Sequence, residues 1–173
     1  NAISTPLVDQ LHAALDRAAE DDSRVVVLGH TGGTFCAGAD LSEASGGAGA
    51  SPGGSGTAGP GGGAGGEPLT PADAAAARTR VFLDLLRAII AHPKPVIAAV
   101  DGHVRAGGMG LVAACDLALA GPASTFALTE VRLGLAAAMI SVPLAARVNS
   151  RDLTRALLTG ETFGPAHARS IGL

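Results

Sequence analysis

Two uninterrupted apolar runs constrain the fold of this chain most strongly. Val25–Leu28 ends at Gly29, and Val96–Val100 follows two closely spaced prolines. Apolar runs without polar alternation are typical of strands that are buried on both faces of a parallel sheet. A weaker third run, Leu117–Ala120, has the same form. We therefore expect these three segments to form one parallel sheet, covered on both faces.

Segments with helical periodicity separate the three runs. The first begins at Ser4 or Thr5 with Pro6 at its first turn, and another begins with the capping box Thr70-Pro71-Ala72-Asp73. The expected helices cover residues 5–20, 71–91, 135–148 and 150–159, the last capped by Ser150. Alternating strands and helices predict an α/β architecture.

Composition excludes several classes of protein. The 12 Lys+Arg and 15 Asp+Glu give a net charge of −3, and four Phe with no Trp or Tyr offer little surface for base stacking. The two cysteines are far apart, and the five histidines lack metal-ligand spacing. No apolar run reaches the roughly 18 residues that span a bilayer. We predict a cytoplasmic protein with no metal, no nucleic-acid partner and no membrane partner.

A glycine-rich stretch interrupts the chain before the second long helix. Within Gly46–Gly66, 12 of 21 residues are glycine. Such a segment has almost no apolar side chain to bury, and glycine-rich chain behaves as a flexible coil. We expect a single domain over residues 1–173, with a flexible insertion at 44–68.

Two glycine-bearing segments follow predicted strands and are the candidate ligand-binding segments. They are residues 35–41, Phe-Cys-Ala-Gly-Ala-Asp-Leu, and residues 99–111, which open a helix. The carboxyl edge of a parallel sheet is where α/β proteins bind ligands, and N–H groups at a helix start stabilise negative charge. Tight packing of helix on strand would explain the same glycines.

Five segments in this order resemble the crotonase family, the enoyl-CoA hydratase/isomerase superfamily. They are Asn1-Ala2-Ile3-Ser4, similar to the family's "NALS", then residues 37–41, 99–116 and 129–135, and Gly160-Glu161, similar to "TGE". The resemblance implies an α/β fold of the ClpP/crotonase type, a spiral of ββα units. Here we expect that fold to lack its first strand and its C-terminal helices.

The resemblance also implies acyl-CoA thioester substrates and no separate cofactor, since coenzyme A is part of the substrate. The backbone N–H groups of Ala39 and Gly107, at the family's two oxyanion positions, would hold the thioester carbonyl. The other residues expected at the substrate are Ala37, Asp40, Leu41, Gly110, Thr129 and Leu135. Family members are typically homotrimers or dimers of trimers, and we expect the same here.

Hydratases of the family commonly carry two glutamates, and this chain matches only one of them. Glu130 matches the glutamate of the Thr-Glu-Val segment, whereas Gly110 occupies the position of the other. One carboxylate suffices for an enoyl-CoA isomerase, which moves a proton from C2 to C4. Residues 133–141 together with Gly110 nevertheless resemble bacterial members assigned as hydratases of branched or glutaconyl-type enoyl-CoAs. We therefore place hydratase first, isomerase second, and a non-catalytic acyl-CoA-binding protein third.

For Glu130 we also predict a raised pKa, and for Asp116 a structural role. Burial of Glu130 beside Leu133 and Leu135 should raise its pKa, as an acid–base catalyst requires. Asp116, at the end of the second glycine-bearing segment, is expected to be a structural hydrogen-bonding residue.

Overall fold

A computed structural model describes residues 1–40 and 70–173. The glycine-rich insertion and Leu41 lie outside the described residues. In chain order the elements are α1 (Thr5–Glu20), β1 (Val26–Leu28), β2 (Thr34–Cys36), α2 (Pro71–Ile90), β3 (Val96–Val100), β4 (His103–Arg105), α3 (Gly107–Ala114), β5 (Leu117–Ala120), β6 (Thr125–Ala127), a 3₁₀ turn (Glu130–Leu133), α4 (Ala138–Ala145), α5 (Ser150–Thr159) and α6 (Pro165–Ile171).

The strands form two parallel sheets, ordered β1-β3-β5 and β2-β4-β6. The first sheet contains the three predicted runs, with Val27 opposite Ile97 and Ile97 opposite Leu117. Along the chain, two strands and a helix repeat as β1-β2-α2 and β3-β4-α3, and a third pair, β5-β6, follows. This confirms the α/β fold of ββα units.

The expectation that the first sheet is covered on both faces is wrong for the described residues. On one face Val96, Ala98 and Val100 are buried, in contact with the core. On the other face Val27 is 60% exposed and Leu117 58% exposed. An apolar run therefore identified the strands but did not establish what covers each face.

Helix starts follow the predicted capping chemistry at α1 and α2. The Ser4 hydroxyl accepts a hydrogen bond from the Leu7 N–H, and Thr70 and Asp73 form the reciprocal capping box. The predicted cap of α5 is wrong by one residue, because Asn149 accepts from the Asp152 N–H at 3.1 Å. Helix α4 covers only residues 138–145 of the predicted 135–148, because the 3₁₀ turn and the left-handed Gly134 precede it.

Helix α3 lies in the core and connects β4 to β5. Its close approach to β2 depends on Gly108, where an added Cβ would lie 2.6 Å from the Cys36 Cβ. At its far end the Asp116 carboxylate accepts from the Val96 N–H at 2.8 Å, and the Asp116 N–H donates to the Val96 carbonyl at 2.8 Å. This confirms the structural role predicted for Asp116, which ties the end of α3 to the start of β3.

Candidate active site

The two predicted oxyanion donors lie on segments that contact each other. A Cβ added at Gly38, next to Ala39, would lie 3.0 Å from the Ala106 Cβ, next to Gly107. The Ile3 side chain also packs at this point, since a Cβ at Gly107 would lie 2.5 Å from its Cδ1. The fold thus brings together two segments that are separated by more than 60 residues in the sequence.

The N–H of Ala39 is left free by the way its neighbours pair. The Ile3 N–H donates to the Gly38 carbonyl at 2.8 Å, and the Asp40 N–H donates to the Ile3 carbonyl at 3.0 Å. In such parallel pairing the residue between the two bonds directs its own N–H to the opposite side. Within residues 1–40 and 70–173, neither Ala39 nor Gly107 has an acceptor for its N–H.

Gly107 is the first residue of α3, so its N–H is one of the unpaired donors at a helix N-terminus. The helix dipole places partial positive charge there, and this favours an oxyanion over a neutral oxygen. Gly107 is half-buried, whereas Ala39 is exposed. The arrangement can therefore donate two hydrogen bonds to an oxygen that gains negative charge.

Ala106, which precedes Gly107, has a backbone conformation that alanine rarely adopts. Its φ is +48° and its ψ is −119°, and within the described residues it alone among non-glycine residues has a positive φ. Such a conformation costs about 1–3 kcal/mol and persists only when its surroundings enforce it. The sequence did not predict this feature, because an alanine at position 106 gives no local signal of a positive φ.

The segment that leads to Glu130 is joined to the Gly107 segment by the pairing of β4 with β6. Arg105 pairs with Ala127, and the Ala106 N–H donates to the Ala127 carbonyl at 3.1 Å. Glu130 follows three residues later as the first residue of the 3₁₀ turn. The N–H of Leu135 donates to the Glu130 carbonyl at 3.0 Å, and this bond holds the backbone of the turn.

The Glu130 carboxylate is partly withdrawn from water. Its Oε2 atom is buried and has no hydrogen-bond partner within the described residues. This desolvation raises the pKa of Glu130 above its ordinary value, as predicted. Leu133 and Leu135, beside which this burial was expected, are themselves 62% and 59% exposed.

A raised pKa at Glu130 predicts a specific pH dependence of stability. The folded state holds this proton at a pH where the unfolded chain has lost it, so the contribution of Glu130 to stability is greatest below about pH 4.3. It decreases as the pH rises through the folded-state pKa. We expect the free energy of unfolding of wild type, measured relative to Glu130→Gln by denaturant titration, to fall over this interval. An unchanged difference between the two proteins would contradict the desolvation of this carboxyl.

The other residues predicted to contact the substrate differ in their exposure to solvent. Ala37 is exposed and its N–H donates to the Asn1 carbonyl at 2.8 Å. Asp40 and Thr129 are half-buried, and Leu135 is exposed beside the 3₁₀ turn. These four lie on the segments that carry Ala39 and Glu130, and their contact with a substrate stays a prediction.

Gly110 differs from the other predicted residues because it is buried under α4. A Cβ added there would lie 2.9 Å from the Ile140 Cβ, and the Ile140 Cγ2 is closer still. Ile140 is itself 2% exposed. The space that a side chain at position 110 would enter is therefore occupied by Ile140, a residue 30 positions away that the sequence analysis did not single out.

One large cavity among the described residues lies away from the three predicted catalytic residues. A cavity of about 1370 Å³ lies between the carboxyl edge of the first sheet and α6, lined among others by His30, Asp101 and Arg169. Ala39, Gly107 and Glu130 do not line it. The candidate site therefore consists of two backbone N–H groups and a buried carboxylate, and not of this cavity.

Within the described ranges, no cluster of three or more His, Cys, Asp or Glu is placed to hold a metal. A search of the helices in the same ranges finds none that could span a bilayer.

Several known proteins resemble this chain over nearly its whole length. The bovine mitochondrial enoyl-CoA hydratase domain-containing protein 2 is 31% identical over 176 residues, which cover 100% of this chain and 52% of that protein. The structure of an enoyl-CoA hydratase from Mycobacterium avium is 48% identical with a TM-score of 0.78, covering 99% of this chain and 57% of the other. An enoyl-CoA hydratase structure from Mycobacterium smegmatis is 32% identical, with a TM-score of 0.79 and coverages of 99% and 58%.

The chain thus spans a little over half the length of these relatives. The sequence model of the enoyl-CoA hydratase/isomerase family matches residues 64–173, which include Gly107 and Glu130. The family match, the shared fold and the meeting of the two glycine-bearing segments agree: this chain belongs to the enoyl-CoA hydratase/isomerase family, the crotonase superfamily.

Proposed function

We propose that this protein is an enoyl-CoA hydratase, which adds water across the 2,3 double bond of an acyl-CoA thioester. The observation that carries the proposal is the buried Oε2 of Glu130, which has no hydrogen-bond partner among residues 1–40 and 70–173. Glu130 follows β6, which pairs with β4, the strand before Gly107. A carboxylate of raised pKa can both take and return a proton at neutral pH. Two free N–H donors supply the other requirement, a place for negative charge.

In the proposed reaction the thioester oxygen accepts hydrogen bonds from the N–H groups of Ala39 and Gly107. Glu130 takes a proton from a water molecule as the water oxygen bonds to C3. The electron pair of the double bond moves toward the thioester oxygen and forms an enolate, which the two donors stabilise. Glu130 then returns the proton to C2, so one water is added and the carboxylate is regenerated.

Relatives support this choice of reaction. The two mycobacterial structures are described as enoyl-CoA hydratases, one of them at 48% identity. The substrate would be an acyl-CoA, and coenzyme A would enter as part of it. Leu133 and Leu135, which are exposed on the segment that carries Glu130, offer apolar side chains for the acyl chain. Trimeric assembly and a cytoplasmic location stay predictions.

An enoyl-CoA isomerase is the second candidate, and one observation favours it. With Ile140 packed against Gly110, Glu130 is the one glutamate that the sequence resemblance predicts for the site. Isomerisation needs only one: Glu130 would take the C2 proton of a 3-enoyl-CoA and return it to C4 of the dienolate. Hydration with one carboxylate needs another group to hold the water.

Parallel assays decide between the candidates. Purified protein is given crotonyl-CoA and, separately, a 3-enoyl-CoA, and products are separated by chromatography. The proposal predicts that 3-hydroxyacyl-CoA forms from crotonyl-CoA with a higher kcat/KM than that of isomerisation. Faster isomerisation would make isomerase the function, and binding of both substrates without turnover would leave an acyl-CoA-binding protein.

A double variant tests the role of the missing second acid. Gly110→Glu alone must displace Ile140, so it is combined with Ile140→Ala to provide space. If water activation is limiting, the double variant should raise hydration relative to isomerisation, while Ile140→Ala alone should not. An unchanged ratio would show that a second acid at position 110 does not limit hydration.

A further inference from the structure

Ala106 stands out because its strained backbone lies directly between β4 and the proposed donor Gly107. Its φ of +48° and ψ of −119° match the first central residue of a type II′ turn, a position that strongly favours glycine. The ψ of Ala106 is also one of the angles that set the direction of the peptide bond that carries the Gly107 N–H.

Both sides of Ala106 are held by hydrogen bonds. Its N–H donates to the Ala127 carbonyl at 3.1 Å, which fixes it to β6, and its carbonyl accepts from the Met109 N–H at 2.9 Å. In a trans peptide the carbonyl and the following N–H point in opposite directions. Since the Ala106 carbonyl points into α3, the Gly107 N–H points out of the helix.

The second donor segment is tied to the same residue. Gly38, which precedes Ala39, also has a positive φ, +101°, and its Cα faces the Ala106 methyl group so closely that an added Cβ would lie 3.0 Å from it. Each proposed donor is thus preceded by a residue with a positive φ, and these two residues pack on each other. A change in the Ala106 backbone would move one donor relative to the other.

We propose that Ala106 is a positioning residue, whose positive-φ backbone, packed on Gly38, fixes the Gly107 N–H so that it and the Ala39 N–H converge on one oxygen. The inference rests on the proposed function, in which these two groups hold a thioester carbonyl. Ala106 itself does not touch the substrate and acts through the direction of a backbone N–H.

Two variants separate the backbone conformation from the side chain. Glycine adopts the same angles without strain, so Ala106→Gly should keep kcat within about threefold of wild type and should not lower the melting temperature. Valine does not fit a positive φ, so Ala106→Val should turn the Gly107 N–H away and lower kcat by roughly 10²–10³, the loss expected for one oxyanion donor. The dissociation constant for acyl-CoA should change little.

The direct readout is the carbonyl stretching frequency of bound butyryl-CoA labelled with ¹³C at the thioester carbon. This saturated thioester cannot be hydrated, and two hydrogen bonds to its oxygen should lower the frequency on binding. We expect the full shift with wild type and Ala106→Gly, and a clearly smaller shift with Ala106→Val, in which only the Ala39 N–H still donates to the carbonyl. Ala168→Gly, a buried change in α6, serves as a control for reduced stability and should keep the full shift.

The outcomes distinguish the two proposals. No shift with wild type would overturn the oxyanion site itself, and with it the role of Ala106. A full shift with wild type that persists in folded Ala106→Val would overturn only the positioning role. If the valine variant does not fold, Ala106→Gly provides the test. Glycine can adopt the same backbone angles, so loss of the shift in Ala106→Gly would show that these angles do not set the direction of the Gly107 N–H.

Discussion

Replacing Glu130 by glutamine is expected to lower turnover of crotonyl-CoA by about 10²–10⁴, the usual contribution of a general acid–base catalyst. Glutamine keeps the shape of the side chain but cannot take a proton from water or return one to C2. Because the carboxylate is not part of the proposed carbonyl-binding site, the dissociation constant for a saturated acyl-CoA should change little. Steady-state kinetics and equilibrium titration measure the two effects separately.

Glu20→Gln is the matched control for this experiment. Glu20 is exposed at the end of α1, and it undergoes the same chemical change without any contact with the candidate site. Its kcat should equal that of wild type. Full activity in Glu130→Gln would remove Glu130 from the mechanism and would favour a different acid.

Replacing Gly107 by proline should lower kcat by roughly 10²–10³, because proline has no N–H and one of two oxyanion donors is lost. Proline is tolerated at the first position of a helix, where the N–H has no partner within the helix. Gly107 occupies that position in α3, so the helix itself should form, although the proline ring also disfavours the ψ of −119° at the preceding Ala106. Circular dichroism confirms folding, and kcat measures the loss.

Gly107→Ala supplies the comparison that isolates the hydrogen bond. Both substitutions add a Cβ next to the Cδ1 of Ile3, the flexible end of that side chain, but only proline removes the donor. Gly107→Ala should therefore lower kcat much less than Gly107→Pro does. Equal losses in the two variants would mean that crowding against Ile3, and not the missing N–H, reduces the rate.

The sequence predicted the strands that lie in uninterrupted apolar runs. β1, β3 and β5 all lie in such runs, and all three are confirmed. The second sheet was missed because β2, β4 and β6 have three residues each and contain the polar residues Thr34, His103, Arg105 and Thr125, so none of them forms an apolar run. The exposure of Val27 and Leu117 was not predicted either, because a run of apolar residues does not show whether one or both faces of a sheet are covered.

The sequence and its family resemblance predicted Ala39, Gly107 and Glu130 as site residues, but they did not predict the contacts around these residues. The packing of Ile140 against Gly110 is a contact between two helices, and no local pattern reports it. The positive φ of Ala106 arises where β4, α3 and the Gly38 segment meet, so it depends on tertiary structure. Such features become visible only once the elements are placed in space.

The most direct test of the account is solvent deuterium uptake by the acyl chain. The protein is incubated with crotonyl-CoA in D₂O, and mass spectrometry with NMR locates the deuterium. The account predicts 3-hydroxybutyryl-CoA with one deuterium on C2, formed about 10²–10⁴ times more slowly by Glu130→Gln. Binding of crotonyl-CoA without deuterium at any carbon, or equal uptake in the two proteins, would contradict proton transfer by Glu130 at an oxyanion-stabilised thioester.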